Sequence, residues 1–423
     1  MSRPQICRVR VWHRAVRVTM PAALLLCAAT ALAQQAKFED VVRNLRNPDQ
    51  KVRVSAVRLL REAGYAEAIV PMAPLVNDPV DEIQLEAIDS ELAFVLVEPV
   101  PARKRVALVV EVRSEGRAAS VFDAGPLAAW PRPAPRELVD ALLAAVDDDH
   151  KKVRFEAIYT LGVVAGASRA PLSDAAATRL VKALDHYDPA VRVGAARVIG
   201  RLKVKSATDT LLKAVNDSSP AVRYASMRAL GEMGDERAVR ALTEQLNYYG
   251  KGEGAWAALD ALARIANPSS VPVFQARLGD KDPNLRRAAV EGLARTRDTA
   301  TIATFVTAVN QDDAEMVRAA MAFALYRIGH ANYLGRLIDF MDRDRTAEQV
   351  QGYLIELGGA VVANVLPRLQ EPDEGVREYL AAALGAIGDE TTIAALTPLK
   401  DDPDRDVASA AAHAIERIKM TQK

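Results

Sequence analysis

Residues 188–200 read DPAVRVGAARVIG, and close variants of this phrase recur along the chain. Each copy places an apolar residue before Arg, with Ala and Leu, and often Gly, at fixed later offsets. We take the apolar residue before Arg as offset zero of each copy. Copies that contain this apolar-Arg pair begin at Val153, Val191, Val222, Leu285, Val317 and Val376. The spacing is about 31 residues, and a fixed period of this length predicts a stacked array of structural repeats.

Within each copy, offsets 0, 4, 8 and 11 fall on one side of a helix and are apolar in nearly every case. A second apolar segment precedes each copy, as in residues 138–146, 176–184, 208–215 and 238–246. Between the two lies a short turn such as Asp188-Pro189, an N-cap followed by Pro at the first helical position. Such a helix pair cannot bury its apolar faces alone, so the pattern predicts an all-α solenoid.

The acidic turn, the Val-Arg pair, the Ala four residues later and the Leu-Gly after it resemble HEAT-type repeats, specifically the short version of phycobilin lyase-like proteins. The resemblance covers residues 37–97 and 136–420. It implies a solenoid of about eleven helix pairs, which we expect to form a curved rod roughly 100 Å long. Offset zero of these units lies near Val52, Ile83, Val153, Val191, Val222, Gly254, Leu285, Val317, Gln349, Val376 and Val407.

The Arg at offset 1 follows an acidic residue by six positions in several copies, for example Asp217 before Arg223 and Asp312 before Arg318. The resemblance to HEAT arrays implies a ladder in which turn carboxylates and arginines link successive repeats. The alternative is a metal or catalytic cluster. Regular recurrence favours the ladder, since an active site occurs once.

Residues 1–33 have the features of a secretory signal peptide. Five arginines and no acidic residue precede an apolar stretch, residues 20–33, that ends in Ala31-Leu32-Ala33. This pattern predicts cleavage after Ala33 and a periplasmic or secreted protein. Lipidation at Cys27 and a retained membrane anchor are the alternatives, and we expect no transmembrane segment after cleavage.

Cleavage would change the composition. Both cysteines, Cys7 and Cys27, lie in the removed segment, which excludes disulfides and cysteine chemistry in the mature chain. Loss of five arginines leaves 50 basic against 55 acidic residues, a poor match for nucleic acid. The predicted organisation is a signal peptide (1–33), N-terminal repeats (34–97), an insertion (98–135) and a main repeat array (136–423).

The insertion interrupts the repeat pattern. Val106–Val112 is rich in β-branched residues and is predicted to be a strand, with a turn at Ser114–Arg117 and a return strand at Ala118–Phe122. Trp130–Pro135 should run extended, because Pro disfavours helix at the residue before it. One interpretation is a β-hairpin and loop that cover the seam between repeats. The other is a partner-binding edge strand or flap.

In unit six, residues 248–254 (YYGKGEG) replace the acidic turn. The glycines beside Lys251 resemble a phosphate-binding loop only superficially, since no strand precedes them and the P-loop order is missing. We expect a flexible turn that exposes Tyr248 and Tyr249.

A candidate binding surface follows from the offsets that face away from the core. The resemblance implies that the second helix of each pair lines a concave groove. Offset 2 there carries Phe155, Val193, Tyr224 and Trp256, and offset 6 carries Tyr159, Arg197 and Arg228. Aromatic and Arg side chains are typical of binding surfaces. The alternative is that these side chains pack sideways onto neighbouring repeats.

No catalytic, cofactor or metal site is predicted, because no motif of a hydrolase, protease or cysteine enzyme is present. The segment Asp147–His150 is interpreted as a solvated capping turn. The sequence therefore favours an exported, non-catalytic scaffold or adaptor for a protein or peptide partner. Two alternatives stay open, a lyase- or chaperone-like protein for a cofactor or chromophore and a structural module of an envelope complex. The sequence names neither the partner nor the oligomeric state.

Overall fold

The computed structural model describes residues 38–98, 117–168, 171–342 and 346–422, and most of these residues are helical. The predicted signal peptide (1–33) and the predicted strand Val106–Val112 lie outside the described residues. The expected all-α solenoid is confirmed.

Helical residues 38–44 come first. The α-helices that follow are α1 (Gln50–Glu62), α2 (Ile69–Met72), α3 (Asp81–Val95), α4 (Arg117–Asp123), α5 (Arg136–Ala145), α6 (Lys151–Ala167), α7 (Asp174–Lys182), α8 (Pro189–Leu202), α9 (Thr208–Ala214), α10 (Pro220–Met233), α11 (Val239–Tyr249), α12 (Gly252–Ile265), α13 (Val271–Arg277), α14 (Pro283–Thr296), α15 (Thr299–Ile302), α16 (Phe305–Ala308), α17 (Glu315–Arg327), α18 (Tyr333–Asp339), α19 (Ala347–Leu357), α20 (Val362–Val365), α21 (Glu374–Ile387), α22 (Glu390–Leu396) and α23 (Arg405–Thr421). Short 3-10 turns lie at Ala66–Ala68, Ala73–Asn77, Pro126–Ala128, Ala183–Asp185, Lys205–Ala207, Glu236–Ala238, Pro268–Ser270, Phe340–Asp342, Gly358–Val361, Leu366–Gln370 and Thr397–Asp401.

The second helix of each unit begins and packs as its sequence predicts. In α8 the Asp188 carboxylate accepts a hydrogen bond from the backbone N–H of Ala190 at 2.9 Å, and Pro189 follows at the first position. Offsets 0, 4 and 8, which are Val191, Ala195 and Ile199, are fully buried. The cap therefore sets the start of the helix, and the apolar stripe sets its buried face.

The Gly at offset 9 is required by the close approach of neighbouring helices. A Cβ at Gly200, Gly231 or Gly385 would lie only 2.7, 2.6 or 2.8 Å from the Cα of an Ala in the next repeat. Backbones this close leave no room for a side chain. The recurring Leu-Gly pair is thus a packing device of the second helices.

The predicted 100 Å rod is wrong, because the array closes on itself. Arg417 in the last helix donates to the carbonyl oxygens of Leu127 (2.8 Å) and Ala129 (2.6 Å), and Ser409 donates to Glu98 at 2.9 Å. A small rotation per repeat accumulates along a solenoid. Here it brings the C-terminal helix against residues that follow the second unit.

The predicted return strand at Ala118–Phe122 is also wrong, since these residues form most of α4. Ala118, Val121 and Phe122 are buried, and their spacing is helical. Burial of that face on the array outweighs the β propensity of Val and Phe. Among the described residues the β-structure is a single isolated bridge, between Leu96 and Ala129.

Unit nine is shifted by one residue. Val350, not Gln349, occupies the buried offset-zero position of this unit, while Gln349 donates to the carbonyl of Met316 at 2.8 Å. The segment Ala347–Gln370 is long and apolar enough to cross a membrane by length and composition alone. In the fold it is broken at Gly358, whose φ is +68°, and belongs to the repeat stack.

Candidate functional site

The arginines at offset 1 form a ladder along the turns. Arg192 donates to the carbonyl of His186 in its own turn at 2.8 Å and, through two nitrogens at 2.9 Å each, to the Asp217 carboxylate of the next turn. The same two-nitrogen arrangement joins Arg53 to Asp78, Arg286 to Asp312 and Arg377 to Asp402. Arg154 bonds Asp188 through one nitrogen, at 2.9 Å. The ladder implied by the resemblance is therefore present, and it holds successive repeats together.

The ladder affects the charge of its carboxyl groups. Hydrogen bonds from Arg377 hold the pKa of Asp402 below its usual value. Burial raises the pKa of Asp217, but the hydrogen bonds from Arg192 outweigh this effect and the net pKa is lowered. These carboxylates are committed to structural ion pairs and are poor candidates for catalysis.

In unit six the ladder continues through a tyrosine. Arg223 Nε donates to the Tyr249 hydroxyl at 2.6 Å, in the place where other units have Asp. The Tyr249 ring covers Gly254, where a Cβ would lie 2.5 Å from the ring. Tyr248 is 78% exposed, as expected, whereas Tyr249 is half-buried. The glycine-rich segment is thus a variant turn of the repeat.

The inner, concave side of the array carries a network of charges. Arg264 donates to Asp260 at 2.8 Å, and Arg295 bonds Glu356 at 2.9 Å while approaching Glu291 at 3.4 Å. Arg295 and Glu356 lie on α14 and α19, with the repeat of α17 between them. Side chains from repeats two apart meet on the inner side of a curved stack, and this contact identifies that side.

This network was not among the features predicted from the sequence. Its members lie at offsets 6 and 10 of their repeats, and charged residues recur in the sequence at both offsets. Offset 6 carries Asp260 and Glu291, and offset 10 carries Arg264, Arg295 and Arg327. Burial and the negative charge of Glu291 raise the pKa of the buried Tyr353 hydroxyl, which donates to Glu291 at 2.5 Å. The network is largely self-satisfied and leaves little charge for a ligand.

One stretch of the concave side is covered by the insertion. The Phe122 ring of α4 lies over Gly162, where a Cβ would be 2.6 Å from the ring. The Arg201 guanidinium stacks on the same ring, 3.8 Å from its centre, and donates to the Phe122 carbonyl at 2.7 Å. Burial lowers the pKa of Arg201 to about 10. The insertion helix is therefore anchored at its C-terminal end on α6 and α8.

Two predicted groove residues belong to this covered stretch. Tyr159 is only 3% exposed, and its ring meets Phe122 edge-on with centres 5.4 Å apart. Arg197 pairs with Asp123 and donates to the Tyr159 hydroxyl at 3.3 Å. The expectation that Tyr159 projects into an open groove is wrong, because α4 occupies that space. Phe155 is half-buried and leans on Tyr159 with centres 4.9 Å apart.

The remaining predicted residues, Tyr224, Arg228 and Trp256, lie together beyond the insertion. Together with Glu253 and Arg287, which the sequence did not single out, we call them the open concave surface. Trp256 is half-buried between the guanidinium groups of Arg228 and Arg287, 5.1 and 5.8 Å from its ring. Arg228, whose side chain is 39% exposed, also pairs with Glu253 at 3.1 Å. Tyr224 is half-buried and meets Tyr249 edge-on.

Within the described residues, no group of three or more His, Cys, Asp or Glu side chains is arranged to hold a metal ion. In the Asp147–His150 turn, Asp148 accepts hydrogen bonds from Gln84 and from the backbone N–H of His150, both at 2.8 Å. These bonds cap and connect repeats, in agreement with the capping interpretation.

Comparison with known proteins identifies the repeat. The family model for HEAT repeats matches residues 177–248, 251–326 and 352–416, which together make up half of the chain. Similar solved structures include the crystal structure of an engineered protein (20% identity, 90% of this chain and 98% of that one, TM-score 0.41). Another is the complex of CpcE and CpcF of phycocyanin lyase from Nostoc sp. (20% identity, 60% of this chain and 90% of that one, TM-score 0.36). At these TM-scores neither structure indicates a function for this chain, and no curated protein matches it in sequence.

Proposed function

This chain belongs to the HEAT-repeat family, and we propose that it is an exported, non-catalytic scaffold that binds a protein or peptide partner through the open concave surface. The observation that carries the proposal is the position of Trp256, half-buried beside two guanidinium groups on the part of the concave side that α4 leaves uncovered. Aromatic and Arg side chains dominate affinity at protein interfaces.

The surface also specifies the chemistry of the partner. Arg228 and Arg287 flank the ring, and Glu253 is the carboxylate that pairs with Arg228. An acidic side chain of a partner can replace Glu253 on Arg228, while an apolar side chain next to it covers the Trp256 ring. A peptide that combines an acidic and an apolar residue within one helical turn fits both requirements.

The test uses capture from envelope extracts by the purified chain, with quantitative mass spectrometry of what is retained. Trp256→Ala and Tyr224→Ala should each lose the partner, with affinity losses of about 2 kcal/mol or more at a hot spot. Tyr187→Ala is the control, since Tyr187 is 75% exposed in a turn outside this surface. Equal retention of the partner by all variants, each shown to be folded at the temperature of the capture, would reject the open concave surface as the binding site.

Export is the second part of the proposal, and it rests on the features of residues 1–33. Mass spectrometry of the envelope fraction should find Gln34 as the first residue of the mature chain. A dominant form that begins at Cys27 or retains residues 1–33 would contradict cleavage after Ala33.

A further inference from the structure

A cavity of about 450 Å³ lies where the array closes. One wall comes from residues that follow the second unit, including Leu96, Val121 and Leu127, and the other from α21 and α23, including Ala410 and Ala414. We call it the seam cavity. Small-molecule sites in proteins commonly measure about 300–1,000 Å³ and combine an apolar lining with a few polar groups.

Three of the seven polar residues that line the seam cavity are acidic. Glu98 contributes one carboxylate from the first wall, and Glu378 and Asp406 contribute two from the second. Arg417 also lines the cavity, but it donates to two backbone carbonyls on the opposite wall. Glu98 interacts with Ser409, at 2.9 Å, and with His413, at 3.5 Å.

Glu378 and Asp406 lack a cationic partner among the described residues. Burial, followed by the negative charges of Asp406, Asp404 and Glu98, raises the pKa of Glu378. Carboxylates gathered on two walls repel each other across the seam, and a positive charge between them would remove that repulsion.

We propose that the seam cavity binds a small amphiphilic amine, with its ammonium group among Glu98, Glu378 and Asp406 and its hydrocarbon part against the apolar walls. Three carboxylates against the single Arg417 guanidinium disfavour phosphate and carboxylate ligands. The carboxylates do not converge into a metal-holding group within the described residues. The apolar majority of the lining favours a ligand with a hydrocarbon body over a bare ion.

Such a ligand joins the two walls. Because one wall follows the second repeat and the other belongs to the last two, occupancy holds the array closed. A ligand that binds only the folded, closed state raises its stability according to its concentration relative to Kd. Closure and binding are therefore linked, independently of what the open concave surface binds.

The experiment is isothermal titration calorimetry of the purified chain at pH 7 with hexylamine, hexanol and hexanoate, together with thermal melting. Hexylamine should bind saturably and raise Tm, and hexanol and hexanoate should bind at least about tenfold more weakly. Equal binding of hexanol would overturn the role of the carboxylates, and preferential binding of hexanoate would overturn the whole proposal.

Glu378→Gln tests the site within the chain. It should weaken hexylamine binding by about tenfold or more while leaving the ligand-free Tm unchanged or higher, since it removes a repelled charge. Glu374→Gln is the matched control, because Glu374 is exposed on the same helix. Identical affinities in the two variants would place hexylamine elsewhere and overturn the assignment.

A further titration distinguishes a free amine from a lysine side chain of another protein. N-acetyl-lysine methylamide carries the same ammonium group but adds a polar backbone that the apolar walls do not satisfy. It should bind clearly more weakly than hexylamine, and equal affinity would overturn the assignment to a free amine.

Discussion

The covered and the open stretches of the concave side carry the same kinds of residue at the same offsets, yet they differ in what lies over them. Tyr159 and Arg228 both occupy offset 6, but Tyr159 is 3% exposed beneath Phe122, whereas the Arg228 side chain is 39% exposed. The position in the repeat therefore sets the direction of a side chain, and a separate segment decides whether it is available to a partner.

Removing the covering residue should have the largest effect. Phe122→Ala removes a ring that is 6% exposed and lies between Gly162 and Arg201, so we expect a loss of about 3–5 kcal/mol of unfolding free energy. Trp256→Ala on the open stretch should cost less, about 1–2 kcal/mol, because part of the ring already lies in solvent. Urea denaturation measures both, and the order of the two values is the decisive result. A smaller loss for Phe122→Ala than for Trp256→Ala would contradict the idea that α4 is anchored on the array.

The ladder offers a second comparison, between a charged and a neutral acceptor. Arg192→Ala leaves the Asp217 carboxylate, 15% exposed, without its partner, and should cost about 2–3 kcal/mol, below the full buried-pair value because of this exposure. Arg223→Ala also frees the carbonyls of its own turn, but its side-chain acceptor is the neutral Tyr249 hydroxyl, so it should cost about 1–2 kcal/mol. Denaturant titration of both variants at the same ionic strength checks the difference, and equal losses would show that the acceptor's charge does not matter.

Variants of the two tyrosines beside the open stretch, Tyr248 and Tyr249, should differ by a smaller amount in unfolding free energy. Tyr249→Phe removes one hydrogen bond from Arg223 and should cost about 1 kcal/mol. Tyr248→Phe is the matched control and should change stability by less than about 0.5 kcal/mol, because Tyr248 is 78% exposed. If both variants melt like the parent chain, Tyr249 does not take the place of the ladder carboxylate.

The smallest effect concerns acid. Hydrogen bonds from Arg237 lower the pKa of Asp235, on the loop after α10, to about 2. A depressed pKa gives a contribution to stability that is complete above the unfolded value of about 3.8 and is lost as the pH falls towards 2. Asp235→Asn should therefore reduce the fall in unfolding free energy between about pH 3.8 and pH 2. The stability of this variant should also depend less on salt concentration, because the Arg237 partner is exposed. Thermal melting of both forms between pH 5 and pH 2 checks this, and parallel curves would show that the Asp235 pKa is not depressed.

Where sequence analysis succeeded, the signal was local and repeated. The Asp188-Pro189 cap, the buried Val191, Ala195 and Ile199, and the close approach at Gly200 all follow from short-range patterns. The wrong predictions concern segments that occur once in the chain, where no repeat supports the interpretation. Residues Ala118–Phe122 were predicted as the return strand of a hairpin that begins at Val106–Val112, but they form a helix whose apolar face packs on α6.

The candidate surface was predicted only in part for the same reason. Phe155, Tyr224 and Trp256 are half-buried near the inner side, as their offset indicates, but nothing within the repeat shows that Phe122 covers Tyr159. The charges at offsets 6 and 10 recur in sequence, yet their pairing joins α14 to α19 across an intervening repeat. Pairing at that range depends on the curvature of the stack.

By itself the sequence determined the helix pairs, their caps, their buried stripes and the positions of the ladder arginines, because each depends on residues within one or two neighbouring units. Only the tertiary structure decided that the array closes, that α4 covers part of its inner side and that the seam cavity exists. These features rest on contacts between residues as far apart as Glu98 and Ser409, 311 positions along the chain. They arise because each repeat is rotated slightly relative to the one before it. The total rotation depends on all the repeats together and cannot be read from any one of them.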